Sequence, residues 1–367
     1  MLILNSCTSL VKVYTRTMST EQNVIFKTVA NAGVITLNRP KSLNALSLSM
    51  IEQILSKLIK WEKDKKLVII KGAGERAFCA GGDVRLMAKD CLKGGRTGIN
   101  IFRTQYMTSG CIGRYKIPYV ALIDGVVMGG GVGLSIHGHY RIATEHTLFA
   151  MPEVAIGLIP DVGASYFFPR LQGNLGTYLA LTGYRLKGSD VYEAGIATHY
   201  CESQYLHEIE NSLLKCNNHS DIKRVLEKFN KKDEKPFSLE PVMNQINKCF
   251  APPTIELILN ELESDGTEWS KETLRMLRKM SPTSLKITMK ALHYGTSLDL
   301  DECLQMEFRI SYERLRNKDF SEGVRAVLID KDQKPQWSPS SVNDVTDEMV
   351  NSYFRNLKDE PELVHKL

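Results

Sequence analysis

The chain has 367 residues, 43% of them apolar and 24% charged, with a formal net charge of only +5. That composition supports a packed core and excludes a disordered chain, and the length suits one large domain with an extension. Acids and bases are interspersed, with no Lys/Arg block carrying interleaved aromatics, which argues against nucleic acid as a partner.

The first twenty residues, "MLILNSCTSLVKVYTRTMST", carry Lys12, Arg16 and many hydroxyls, with no acid before Glu21. This fits a mitochondrial transit segment over residues 1–21 better than a secretory signal, whose apolar stretch would be longer. The expected location is the mitochondrial matrix, with peroxisome and cytoplasm as alternatives. The terminal "HKL" differs by one residue from the peroxisomal S-K-L, and His is a poor first residue there.

"VIFKTVANAGVITL" reads as a β-hairpin around Asn31-Ala32-Gly33. In "SLSMIEQILSKLIKWEKD" the apolar residues Leu48, Ile51, Ile54, Leu55, Leu58 and Trp61 share one helical face, and Ser49 with Glu52 has capping-box spacing. "KLVIIKG", "YVALIDG", "YRIAT" and "TLFAM" follow as strand candidates. Strands recur in close pairs with helices between them, which predicts stacked ββα-like units in one α/β core over residues 22–200. From 201 to 367 the chain is mostly helical, with Pro253 and Pro282 near helix starts. The longest apolar run is broken by Asp124 and a glycine cluster, so no stretch is predicted to span a bilayer.

The eight cysteines form no C-x-x-C pair, which suits free thiols in a reducing compartment better than disulfides or a zinc site. His137 and His139 have no ligand set beside them, and no metal is expected.

Two glycine-rich turns, "FCAGGDVRLM" (Phe78–Met87) and "GGGVGLS" (Gly129–Ser135), each lead from a strand into a helix-compatible stretch. Neither has G-x-G-x-x-G spacing or a Gly-Lys-Ser/Thr, so both nucleotide-loop readings fail. Two such turns can each offer a backbone N–H to one oxygen, as in an oxyanion hole, or can simply be tight turns. In "MPEVAIGLIPDVGASYFFPRL", Glu153 and Asp161 lie in a Pro/Gly-rich segment that a continuous helix cannot cross. Apolar neighbours would desolvate such carboxyls and raise their pKa, while surface or capping roles are equally compatible.

Together "ITLNRPKSLNALS", "FCAGGDVRLM", "GVVMGGGVGLS" and "FAMPEVAIGLIPDVGA" resemble the crotonase (enoyl-CoA hydratase/isomerase) superfamily. The resemblance implies a right-handed spiral of ββα turns with a helical C-terminal region, an acyl-CoA substrate and no separate cofactor. It also implies an oxyanion hole from the N–H groups of Gly82 and Gly130. A hydratase carries a Glu where this chain has Gly133, whereas the second hydratase glutamate corresponds to Glu153. Glu153 with Asp161, and the stretch "DFSEGVRAVLIDKDQKPQWSP", resemble the hydrolase branch, which cleaves 3-hydroxyacyl-CoA thioesters. In that branch R-x-E-Y is common where this chain has Arg103-Thr104-Gln105-Tyr106, which assigns Gln105 to substrate binding without a charge. Arg85, and behind it Lys41, are the candidate cations for the CoA phosphates. A lyase or isomerase of the superfamily and a non-catalytic acyl-CoA-binding protein are the competing readings. Superfamily members often form trimers or hexamers, a surface that the helical C-terminal half would alternatively cover within one subunit.

Overall fold

A computed structural model describes residues 22–231 and 235–363; the transit-segment assignment and the terminal tripeptide lie outside them. Among the described residues the strands form two sheets. The first contains β1 (Val24–Val29), β2 (Ala32–Leu37), β3 (Leu67–Gly72), β5 (Tyr119–Ile123), β7 (Tyr140–Ala143) and β10 (His199–Tyr200), in that spatial order. The second contains β4 (Ala77–Cys79), β6 (Val126–Met128), β8 (Leu148–Ala150) and β9 (Leu186–Lys187). β2, β3, β5, β7 and β10 run parallel in sheet one, as do β4, β6 and β8 in sheet two. Consecutive pairs β3–β4, β5–β6 and β7–β8 each place one strand in each sheet, so the chain winds as a spiral of ββα turns.

Alternating side chains bury sheet one on both faces, as a parallel sheet requires. Ile35, Leu37, Val68 and Ile70 enter the main core, while Val34, Leu67, Ile69 and Val120 join a second cluster. That second cluster is closed by Ile209 and Leu213 of α8 (Leu206–Leu213) and by Ile222 and Leu226 of α9 (His219–Phe229).

The spiral's helices are α1 (Leu48–Asp64), α2 (Val84–Cys91), α3 (Thr97–Gly113), the single turns α4 (Gly130–Gly133) and α5 (Ala164–Phe167), α6 (Leu175–Thr182) and α7 (Asp190–Glu193). Beyond α9 come α10 (Met243–Cys249), α11 (Ile255–Asp265), α12 (Glu268–Leu277), α13 (Pro282–Gly295), α14 (Leu300–Arg316), α15 (Lys318–Val324) and α16 (Asp347–Ser352). No helix among the described residues is long and apolar enough to cross a membrane.

Two local expectations change. The hairpin turns at Ala30-Asn31, with Ala30 at φ 48°, so Ala32 and Gly33 already belong to β2. The cap of α1 is Ser47, whose side chain accepts from Met50 N. Ser49 lies inside the first turn, where its hydroxyl accepts from Gln53 Nε2 instead.

α14 packs behind the spiral, against α3 and α5. Asp299 and Glu302 form a capping box at its start, and α3 packs along it. Its buried residues Cys303, Glu307, Ser311 and Arg314 recur at helical spacing, a polar stripe on the buried side. Each of the last three reaches a different part of the site.

Candidate active site

Gly82 is placed by the loop before α1. Buried Asn44 accepts from Arg39 N at 2.8 Å and donates to the carbonyls of Ala73 (3.0 Å) and Ala77 (2.8 Å), fixing the loop against β4. Leu46 then forms a parallel bridge with Gly82 that uses Gly81 O and Asp83 N, leaving the Gly82 N–H without an acceptor among the described residues. Asp83 caps α2 by accepting from Leu86 N. Gly130 is the first residue of α4, where an N–H has no partner within its own helix. The two turns, nearly fifty residues apart in sequence, converge: an ideal Cβ on Gly81 would stand 3.5 Å from Gly130 N and 3.6 Å from Gly129 Cα.

A cavity of about 690 Å³ opens beside them, and Gly82, Gln105, Gly130, Glu153 and Asp161 all line it. Its remaining wall is largely apolar, with Met87, Ile101, Phe102, Leu158 and Val162 among the contributors.

Glu153 begins a 3₁₀ turn (Glu153–Ile156), and Gly157 in left-handed conformation ends it. The Glu153 side chain is buried, and its Oε2 has no hydrogen-bond partner among the described residues. Burial, and then the charge of Asp161, hold its carboxyl well above the ordinary range. Asp161 is also buried and accepts from Tyr106 Oη at 2.6 Å, while Tyr106 Oη lies 2.7 Å from Ser311 Oγ on α14. Burial pushes the Asp161 carboxyl up to about 6, with the Tyr106 hydrogen bond pulling against it. With Asp161 ionised first, Glu153 retains its proton more tightly, an unequal pair of carboxyls on one cavity.

Gln105 Nε2 donates to Gly130 O at 3.2 Å, and its buried Oε1 has no partner among the described residues. The amide therefore steadies the α4 turn and keeps an acceptor beside the cavity. At Gly133 a Cβ would stand 2.7 Å from Ser109 Oγ, 2.8 Å from Val162 Cβ and 3.0 Å from Gln105 Nε2. Any side chain there would have to push Ser109 and Val162 aside, and a glutamate more than any small one. Arg85 lies on the exposed side of α2 and lines a neighbouring cavity of about 1000 Å³ with Lys89, Arg316, Lys318, Arg325 and Lys331. Lys41 is exposed and lines neither cavity. No group of three His, Cys, Asp or Glu among the described residues could hold a metal ion.

Sequence reasoning overlooked Tyr106, Ser311, Glu307 and Arg314. Tyr106 was within the quoted Arg103–Tyr106 stretch, and the other three were signalled by the polar stripe of α14. Arg314, fully buried, donates from Nε to Gly157 O at 2.7 Å and pairs with buried Asp319 at 3.4 Å. It thereby grips the residue that ends the Glu153 turn.

With that geometry in place, the chain matches the enoyl-CoA hydratase/isomerase family over residues 32–354, and it belongs to that family. The fold agrees: a solved carnitinyl-CoA dehydratase from Mycobacterium thermoresistibile superposes with a TM-score of 0.87 at 32% identity, covering 94% of this chain and 99% of that one. An enoyl-CoA hydratase from Rhodobacter sphaeroides gives 0.84 at 34% identity, covering 92% and 98%. Curated relatives are more similar in sequence. The mitochondrial 3-hydroxyisobutyryl-CoA hydrolase of Rattus norvegicus is 53% identical over 89% of this chain and 87% of its own length. The Homo sapiens protein of the same name is 52% identical over 92% and 89%, and that of Danio rerio 48% over 96% and 95%.

Proposed function

We propose that this chain is a thioester hydrolase that converts 3-hydroxyisobutyryl-CoA, and 3-hydroxypropionyl-CoA as a related substrate, to the free hydroxy acid and CoA. The first substrate places it in valine breakdown. The observation that carries the reading is a cavity joining Gly82, Gly130, Glu153 and Asp161, while Gly133 has no room for the other hydratase carboxylate.

Gly82 and Gly130 N–H groups receive the thioester oxygen and bind it most strongly as the tetrahedral oxyanion. Losing one such donor typically costs about 3–4 kcal/mol of barrier. Glu153, once ionised, has two routes. As a base it takes a proton from water, whose oxygen attacks the thioester carbon; the tetrahedral intermediate then collapses, the C–S bond breaks, and the departing CoA thiolate takes that proton back from Glu153. As a nucleophile its own oxygen attacks, the C–S bond breaks, CoA leaves as a thiolate that takes a proton from solvent, and water then opens the mixed anhydride at the Glu153 carbonyl. Asp161, held by Tyr106, accepts a hydrogen bond from the substrate's 3-hydroxyl and favours hydroxylated acyl groups. Arg85, with its cationic neighbours, serves the CoA phosphates. Lys41, which lines neither cavity, stands behind Arg85 as a candidate for that role. CoA arrives as part of the substrate and the reaction calls for no further cofactor. The matrix, where the transit segment would deliver the chain, is the proposed location.

Thiol release from 3-hydroxyisobutyryl-CoA tests the activity, with Glu153→Ala as control; no release by the wild type overturns it. Single turnover in oxygen-18 water separates the two routes. Label recovered in Glu153 supports an anhydride opened at the Glu153 carbonyl, and label found only in the hydroxy acid rules that route out.

A further inference from the structure

The segment after Asp161 is strained. Val162, a β-branched residue, has φ 54°, and Gly163 follows at φ 91°. A β-branched residue in this region is strained and persists only where its surroundings force it. Two side chains do so. His137 donates from Nε2 to Val162 O at 2.7 Å; desolvation pushes its ring down to about 4, which keeps the imidazole neutral. Its ring also fills the space a Cβ on Gly163 would need, with Cε1 2.5 Å from that position. Glu307, fully buried on α14, accepts from Gly163 N at 2.7 Å, Ser165 N at 2.8 Å and Ser165 Oγ at 2.6 Å.

The Glu307 carboxylate thus takes donors from both sides of the turn that follows Asp161 and spends all of them on that turn. It does not line the cavity. A buried acid is expensive to keep when apolar packing would serve, so its presence calls for a task that an aliphatic side chain cannot perform. Holding two backbone N–H groups of a strained turn is such a task. We propose that Glu307 is the positioning residue that aims Asp161 at the substrate's 3-hydroxyl. This rests on the proposed hydrolase reading, in which Asp161 reads that hydroxyl. Tyr106 fixes the Asp161 carboxylate from the side chain; Glu307 fixes it from the backbone.

Glu307→Gln tests this, because its amide still accepts from one N–H but turns an NH₂ group toward the other. The readout is the ratio of kcat/KM for 3-hydroxyisobutyryl-CoA over that for isobutyryl-CoA, which lacks the hydroxyl, measured by thiol release with the full chain. A misaimed Asp161 lowers this ratio about tenfold or more, while isobutyryl-CoA hydrolysis falls no more than about threefold by the same argument that its reaction does not use Asp161. A merely structural lesion lowers both rates together and leaves the ratio at the wild-type value, which overturns the proposal. If Glu307→Gln does not fold, Ser165→Ala, which removes only the hydroxyl donor, decides: the ratio falls about twofold to fivefold, or the proposal fails. A wild type that hydrolyses neither thioester, or does not prefer the hydroxylated one, overturns the hydrolase reading itself.

Discussion

Replacing Asp161 with Asn should stabilise the protein at alkaline pH while removing its preference for hydroxylated substrates. The carboxyl titrates at about 6 in the folded protein against an ordinary 3.8. Between those values the folded state binds the proton that the unfolded state has released, so stability falls as pH rises through this window. Above pH 6 the cost to the folded state is complete, about 3 kcal/mol; at pH 4.5 it is only about 1 kcal/mol. An amide carries no such cost, and its oxygen still accepts from Tyr106. The Asn variant should therefore gain about 3 kcal/mol over wild type at pH 8, shrinking to about 1 kcal/mol at pH 4.5. Glu153 loses a neighbouring charge in the same variant, which adds in the same direction. Urea unfolding at the two pH values measures the difference. A gain that is absent at pH 8, or equal at both values, would refute the assignment of Asp161 as a desolvated, ionised carboxylate.

Glu153→Gln should reduce thiol release by about 10²–10⁴-fold without lowering the thermal midpoint, since it also removes a buried acid; a loss of activity that tracks unfolding would count against a chemical role. Gly133→Ala should destabilise by about 1–3 kcal/mol through overpacking against Ser109 and Val162. Gly133→Glu should fail to hydrate crotonyl-CoA, and measurable hydration would show that the site can make room. Asp319→Asn leaves the buried Arg314 guanidinium without its counter-charge and should cost about 3–5 kcal/mol in urea unfolding; a cost below about 1 kcal/mol would mean that the pair is idle.

The strands and helices were largely legible because their periodicities are strong: of the α1 stripe, Ile51, Ile54, Leu55, Leu58 and Trp61 are buried, while Leu48 is half-buried and Met50 is buried without having been counted. The cap of α1 was misplaced because two serines, Ser47 and Ser49, compete, and spacing to Glu52 favoured the one already inside the helix. Gly82 and Gly130 could be named from their turns, but their approach depends on Leu46 and Asn44, which no local pattern connects to them. Glu153 and Asp161 stood out as acids in an apolar, turn-rich segment. Their unequal affinities for a proton depend on Tyr106, which comes from a helix fifty-odd residues earlier. The α14 residues were readable only as a helix. A polar stripe reads as a solvent face unless its partners are known, and here those partners lie in α3, in α15 and in the 157–165 segment. Arg85 and Lys41 are single surface cations, and sequence carries no signal that separates one lining a cavity from one that does not.

The Glu153 turn is wedged against the distant end of the chain. A Cβ on Gly157 would lie 2.5 Å from Asp319 O, and one on Gly323 would lie 2.5 Å from Ile156 C. This has a consequence for the order in which the protein comes into being. About 170 residues separate Glu153 from Gly323, and at ordinary translation rates that interval takes on the order of 10–30 s. A nascent chain carries Gly82, Gly130 and both acids but lacks the backing of α14 and α15. Such a precursor should be silent toward thioesters, and competence should appear only when the last helices arrive.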